Sequence, residues 1–538
     1  MADAATGLRG ADIIARKLAA YGCRDAFGIP GGEVLAIMDG LRSAGIDFHL
    51  VKHENFGGFM AEGAWHATGA PGILVATVGP GVSNALNAVV NAHQDRVPLI
   101  FLTGCMDGAV AHRYTHQVFD HQAVLRPVTK ASFRAETGTL GAVMDKALAL
   151  ATEGQPGPVH IDVPIAVAEE LTNERYADPH APALLPVAAP ADLAALEAAL
   201  RLSEGPIAIA GVDAVNDGAG PALTAFCEAW GVPLITTYKG KGLLDERHDL
   251  ALGGAGLSPK ADDILLPALN NADLILLVGY DPIEMRIGWR DPWAPGPMVM
   301  EITPVLRTHS MHRVDRTIQA GVTATLAAIG PPDTPRASHP SVAGVKARVE
   351  AAFTPGPDWG PATVFKTLRG ALPDNTISTA DAGAHRILVS QMWQCYTPRT
   401  MFQSSALCTM GCSVALAAGH KVKKPEVPAI AFVGDAGLEM ILGDLTTLRD
   451  MKIPVIICVV CDESLALIEK KQRGMQLPNV GVDFGATDFP AVAEALGGHG
   501  QWIDDAASLE AAAADALTRD TFTILACRVP RRSYDGLF

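Results

Sequence analysis

The chain has 538 residues, too many for a single hydrophobic core, and its length suggests about three domains. Apolar residues make up 49%, with 53 glycines and 37 prolines, the make-up of a Gly-rich α/β enzyme. Forty-two basic against 58 acidic residues leave a net charge of −16 with no basic stripe, which argues against nucleic acid or an anionic membrane surface as partner.

The opening stretch MADAATGLRGADIIARKLAAYG has no apolar signal core and passes at once into an amphipathic helix. No apolar run reaches membrane-spanning length, so the expected location is the cytoplasm. Nine scattered cysteines, odd in number, fit the same reducing compartment. Next come DAFGIPGG, read as a strand with its exit turn, and a short apolar strand that leads into Glu54. Glu54 opens a helix whose early residues include Gly57, Gly58, Met60, Ala61 and Gly63. A face that small lets another backbone or a planar ligand come close, although a carboxylate at a helix head also simply complements the dipole. ILVATVGPG, LIFLTG and VHIDVP supply further strands. Between them, AHRYTHQVFDHQ gathers His112, His116, Asp120 and His121 at spacings that do not suit a structural zinc site.

Two Pro/Ala-rich segments, Tyr176–Pro190 and Ile329–Pro340, read as exposed linkers. They divide the chain into 1–175, 190–330 and 345–538. In each part, short Val/Ile/Leu-rich runs alternate with longer Ala-rich helical patterns. The middle part offers PIAIAG, PLITT, LILLVGYDP and MVMEI as strands, and the last offers TISTADAG, AIAFVGDAG, VIICVVCD and TILACRV. The predicted fold class is therefore α/β, with three doubly wound parallel-sheet domains. The first and last parts share a size and a strand rhythm, which hints at duplication.

The most informative segment is Gly434–Asp462. One apolar strand ends in Gly434-Asp435-Ala436-Gly437, a helix follows, and a second apolar strand ends in Cys461-Asp462. Two acids at the carboxyl ends of parallel strands lie where open α/β sheets bind ligands. Small residues after Asp435 let backbone N–H groups approach a diphosphate, and paired oxygen ligands suit Mg²⁺. The alternative is a strand–turn–helix with two surface acids. Cys458 and Cys461 form a Cys-x-x-Cys within the second strand, where they face opposite sides, and read as core.

This segment resembles the thiamine diphosphate signature, Gly-Asp-Gly followed by Asn-Asn, with Ala436 and Cys461-Asp462 departing from it. KHENFGGFMAEGAWHATGAPGILVATVGPGVSNALNAVVNAHQDRVPLIFLTG resembles the pyrimidine-binding domain of the acetolactate synthase-like family of 2-oxo acid carboligases and decarboxylases. KGKGLLDERHDLALGGAGLS and LVGYDPIEM extend the likeness, and LIEKKQRGMQLPNVGVDFGATDFPAVAEALGG is similar to its catabolic branch.

The resemblance implies a pyrimidine-binding, a middle Rossmann-like and a diphosphate-binding domain. It implies thiamine diphosphate and Mg²⁺ as cofactors, with Asp435, Asp462 and the Ser464 carbonyl as metal ligands. Gly79, Ala384, His385, Cys408, Met410, Gly434, Ala436 and Gly437 fall at the cofactor, Met410 supporting its bent form. Glu54 falls on the glutamate that hydrogen-bonds N1′ of the aminopyrimidine. Gln117 falls on a substrate-side amide, and His116 replaces a large apolar residue beside it with a group able to exchange protons. The implied reaction is decarboxylation of a small 2-oxo acid followed by carboligation or by protonation.

The implied assembly is a homodimer at least, and a homotetramer in the fuller form, with Glu54 reaching cofactor held by the neighbouring subunit. VGYDPIEMR (Val278–Arg286) replaces the stretch expected for flavin, so the reading is against FAD. A related decarboxylase or lyase of oxalyl-CoA, sulfoacetaldehyde or benzoylformate type stays open, and His116, Glu469 and Lys470 are where it would differ. A non-catalytic cofactor-binding paralogue also stays open, although the retained Glu54 speaks against it. No GxGxxG turn supports a nicotinamide oxidoreductase.

Overall fold

The uninterrupted apolar runs form strands because a parallel sheet covered by helices on both faces removes both sides of each central strand from water. The computed structural model describes residues 7–179, 183–283, 285–306, 309–334 and 336–538. Residues 1–6 ahead of the first helix, 180–182 of the first linker, Glu284 of the Val278–Arg286 stretch and Pro335 of the second linker lie outside the described residues.

The first sheet comprises β1 (Asp25–Gly28), β2 (Asp47–Leu50), β3 (Gly72–Ala76), β4 (Leu99–Cys105), β5 (Ala131–Arg134) and β6 (Pro158–Pro164). Its order is β2-β1-β3-β4-β6-β5, parallel throughout. The second comprises β7 (Pro206–Ala210), β8 (Leu234–Thr237), β9 (Ala251–Ala255), β10 (Leu274–Val278), β11 (Met298–Thr303) and β12 (Arg316–Gln319). Its parallel order, β9-β8-β7-β10-β11-β12, is that of a doubly wound dinucleotide-type fold.

The third sheet holds β13 (Ile377–Ala380), β14 (Met401–Gln403), β15 (Ala429–Gly434), β16 (Ile456–Cys461), β17 (His499–Ile503) and β18 (Thr523–Arg528). It runs β14-β13-β15-β16-β18-β17, again parallel. Counted from its own first strand, each outer sheet therefore has the order 2-1-3-4-6-5. That shared order supports duplication more firmly than a shared rhythm does.

The described residues form two compact units. The first takes the chain as far as Ala183 together with Ala415–Glu426 and Ile441–Ile453; the second takes the remainder. In the first unit, the glycine-rich face of the Glu54–Thr68 helix meets another backbone. A Cβ on Gly63 would lie 2.2 Å from the Leu416 carbonyl oxygen, and one on Gly419 would lie 1.9 Å from that of Met60. The close approach foreseen for that face is thus made to a helix. In the second unit one core runs from Ile207, Ile209 and Leu277 through Phe365, Leu388 and Trp393 to Phe432 and Leu525, while Ala208, Leu276 and Met300 belong to a second core. The second linker, Ile329–Pro340, consequently separates two sheets in sequence while the first of these cores continues across both. Among the described residues no helix is long and apolar enough to cross a membrane.

Candidate active site

In the second unit the order of the third sheet reverses between β13 and β15, the switch point at which such sheets open a crevice. Asp381 leaves β13, Gly434-Asp435 ends β15, and Asp462 leaves the adjacent β16. A cavity of about 200 Å³ opens there. Its walls include Ala384, His385, Cys408, Met410, Gly434, Asp435, Ala436, Gly437, Asp462 and Ser464. Four chain segments that are far apart in sequence are thereby brought to one place.

Asp381 holds much of this together. Its fully buried carboxylate accepts the N–H groups of Gly411 (2.5 Å), Cys412 (2.8 Å) and Ser413 (2.7 Å). This clamps the loop that carries Cys408 and Met410. Arg386 fastens the start of the same loop by donating to the carbonyls of Ser404 (2.7 Å) and Ser405 (3.2 Å). A Cβ on Gly437 would come within 2.6 Å of Asp381 Oδ2, so the carboxylate also sets how closely the Asp435–Glu439 helix can approach. Burial raises the Asp381 pKa, and the N–H donors work against that rise.

Asp435 Oδ2 accepts from the N–H groups of Glu463 (2.7 Å) and Asp462 (3.1 Å), so it fixes the turn that presents Asp462. Its Oδ1 accepts from the Ala436 N–H at 2.9 Å. Asp462 is pushed up to about 7 by burial and by the neighbouring Asp435 charge. Burial likewise raises Asp435. Two desolvated carboxylates that repel one another form a hard-oxygen donor set, and a divalent cation would relieve the repulsion. His385 sits in the first turn of the Ala384–Met392 helix, 5% exposed, and its Nε2 has no hydrogen-bond partner. Burial, helped by the Arg386 charge, lowers its pKa to about 4. An anion placed at this helix head would supply the missing partner and favour the protonated ring.

In the first unit Glu54 opens its helix 4% exposed, and Oε2 accepts from Asn84 Nδ2 at 3.1 Å. A Cβ on Gly81 would lie 3.2 Å from Glu54 Oε1, so the head of the Pro80–Gln94 helix lines one side of the carboxylate. Gly79 caps that helix at φ +77°, where its missing side chain makes room for Gln117: a Cβ would lie 2.4 Å from the Gln117 carbonyl oxygen. Gln117, itself at φ +59°, and His116 are exposed, and the His116 ring meets Tyr114 edge-on. The three histidines separate. His112 and His116 face outward, whereas His121 is buried with Nδ1 2.8 Å from Asp162 Oδ1 and Nε2 accepting from the Gly79 N–H at 3.2 Å. Asp162 is further held by Thr103, which also touches His160. Burial alone would raise the Asp162 carboxyl, but the His121 and His160 bonds hold it well below the usual carboxylate range.

Three family models match the chain. Residues 8–124 match the thiamine pyrophosphate enzyme N-terminal TPP binding domain, 193–329 the central domain, and 381–527 the C-terminal TPP binding domain. The chain is a thiamine pyrophosphate enzyme. Among curated relatives it is 26% identical to the acetolactate synthase of Bacillus subtilis (strain 168), over 92% of this chain and 89% of that one. It is 28% identical to a probable acetolactate synthase large subunit of Methanocaldococcus jannaschii, over 91% and 86%. It is 27% identical to the acetolactate synthase isozyme 3 large subunit of Escherichia coli (strain K12), over 95% and 92%. These are distant, full-length relatives, and the TPP binding domains imply thiamine diphosphate as cofactor.

Several residues of this thiamine pyrophosphate enzyme that organise the site escaped the sequence reading. Asp381 stood in view as an acid at the carboxyl end of a strand, and Asn84 within the Gly-Pro-Gly-x-x-Asn turn. Nothing in the sequence pointed to Arg386 or to the His121–Asp162 pair. Two residues expected to tune the substrate are otherwise engaged. Glu469 is buried between Arg473 (3.1 Å) and Arg532 (3.2 Å), and Lys470 lies over the Phe538 ring. In the Val278–Arg286 stretch Tyr280 is fully buried and Arg286 Nε donates to Asp262 at 2.6 Å.

Proposed function

We propose that this thiamine pyrophosphate enzyme catalyses Mg²⁺-dependent decarboxylation of a small 2-oxo acid followed by carboligation, in the manner of acetolactate synthase. The residues lining the cavity fit the cofactor. The buried, unpartnered His385 Nε2 and the Ala384 end of its helix would receive the diphosphate. Asp435, Asp462 and the Ser464 carbonyl would hold Mg²⁺, and Met410 offers an apolar surface to the rings. Bound thiamine diphosphate supplies a carbon nucleophile for the ketone and an electron sink that lets carbon dioxide leave.

Glu54 holds a proton at N1′ of the aminopyrimidine, and Asn84 keeps its carboxylate in one orientation. Burial of Glu54 excludes the water that would otherwise level that bond. Gln117 contributes its amide on the substrate side. Glu54 acts on cofactor held by a second copy, so a homodimer is the smallest active form. The observation that carries the reading is Glu54 itself. A buried acid held in place by an amide serves proton transfer, whereas mere retention of a diphosphate does not call for one. His116, the exposed chain neighbour of Gln117, suits an acceptor more polar than pyruvate, or protonation in place of ligation.

The test is product analysis with thiamine diphosphate, Mg²⁺ and a panel of 2-oxo acids led by pyruvate. Calorimetric binding of the cofactor is followed in parallel. Carbon dioxide and a ligated hydroxy-oxo acid are expected, with turnover falling at least about 100-fold in Glu54→Gln while the cofactor still binds. Full turnover by Glu54→Gln would overturn the reading.

A further inference from the structure

A thiol with no part in the proposed reaction lines the same cavity. Cys408 is the one exposed cysteine among the nine in the described residues; seven are buried and Cys461 is half-buried. Burial pushes the thiols of Cys23, Cys105, Cys227 and Cys395 up to about 12, which keeps them protonated and unreactive at neutral pH. Cys408 differs in place as well as in exposure. It lines the cavity that also holds the unpartnered, buried His385 Nε2. It sits at φ +57° in the loop clamped by Asp381, with Sγ 3.3 Å from the Ser405 carbonyl.

We propose that Cys408 is a reversible modification site through which low-molecular-weight disulfides close the cofactor cavity, an inference that rests on the functional reading above. The Cys408 thiolate attacks one sulfur of a disulfide such as oxidised glutathione. A new Cys408–sulfur bond forms, the original sulfur–sulfur bond breaks, and the departing thiolate leaves with the electron pair and takes up a proton from water. Cys408 is oxidised and half of the disulfide is reduced; excess thiol reverses the exchange. A tripeptide attached at Cys408 occupies space that the cofactor needs. Bound cofactor in turn covers Cys408, so the empty enzyme is the sensitive form.

The full chain, freed of cofactor, is treated with iodoacetamide at neutral pH and the modified peptides are identified by mass spectrometry. Labelling is expected at Cys408 at least about 10-fold faster than at any other cysteine, and slowed at least about 10-fold by thiamine diphosphate with Mg²⁺. Oxidised glutathione is expected to weaken calorimetric cofactor binding at least about 10-fold, and dithiothreitol to restore it. Cys408→Ser, whatever its own affinity, is expected to bind equally before and after treatment. Faster labelling elsewhere, no protection by bound cofactor, or unweakened binding by the glutathionylated chain would overturn the inference alone. Failure of the untreated chain to bind the cofactor would overturn the functional reading, and this inference with it.

Discussion

Replacing Asp381 by Asn removes a charge and exchanges one acceptor for a donor while keeping the shape of the side chain. In the native site Oδ1 serves the Cys412 and Ser413 N–H groups, and Oδ2 serves Gly411. The amide oxygen of Asn can keep the first two. Its NH₂ then faces the Gly411 N–H, a donor against a donor. A hydrogen bond to a charged acceptor contributes about 1.5–3 kcal/mol, and a buried donor left unsatisfied costs about 1–3 kcal/mol. Relief from burying a charge, signalled by the raised Asp381 pKa, offsets part of this. A net loss of about 2 kcal/mol remains, felt first by the loop that carries Cys408 and Met410. If that loop must be ordered to bind the cofactor, the Kd for thiamine diphosphate rises roughly 30-fold. Calorimetry at fixed Mg²⁺ measures the Kd, and a thermal melt reports the accompanying fall of several degrees. A Kd within threefold of the native value with an unchanged melt would refute the clamp as described.

Three further outcomes are expected. Cofactor binding near pH 7 protonates His385, which is neutral in the empty site (pKa lowered to about 4) and charged beside an anion, while Mg²⁺ displaces the proton that Asp462, raised to about 7, partly holds; calorimetry in buffers of different ionisation enthalpy counts the net, and His385→Gln lowers the uptake by about one proton. Gly437→Ala destabilises by about 1–3 kcal/mol because its Cβ meets a carboxylate locked at 2.6 Å. Gly434→Ala, with 3.4 Å to the His385 ring, leaves the melt nearly unchanged; equal melts for the two variants would contradict this. Burial raises Asp444 to about 6, against the opposing pull of the Lys52 N–H and the His53 charge. A carboxyl whose folded pKa lies above its unfolded value of about 3.9 weakens the fold as pH rises from about 4 through 6. Asp444→Asn should therefore gain about 1–2 kcal/mol on the native chain between pH 4 and pH 7, read from denaturation midpoints at both pH values.

Most strands that could be read from the sequence are buried on both faces; the exception is the edge strand β2, which leads into Glu54 and has no fully buried residue. Among the interior strands of the first and third sheets, β3, β4, β15 and β16 are built on continuous apolar runs. Within the three six-stranded sheets, the five strands that went unread, β5, β9, β12, β14 and β17, all lie at sheet edges. An edge strand needs less apolar surface: β12 leaves three of its four residues exposed, β9 carries two adjacent glycines, and β14 has only three residues. The site was legible where it depends on strand ends and motif glycines. It was not legible where it depends on which loop an acid reaches across space to hold. Asp381 to Gly411, and His121 to both Asp162 and Gly79, are such cases, because periodicity carries no information about contacts between distant loops.

The glycine-to-carbonyl contacts of the first unit also bear on the order in which the protein can be made. Gly63 rests on Leu416 and Gly419 on Met60, and the first unit includes Ile441–Ile453 as well. A nascent chain that has completed all six strands of its first sheet still lacks two segments that finish that unit's packing. Until synthesis passes Glu426, the bare face of the Glu54–Thr68 helix is exposed to whatever else is at hand. The head of the chain must wait for its tail, and a fragment cut at the first linker would lack what that helix face is shaped to receive.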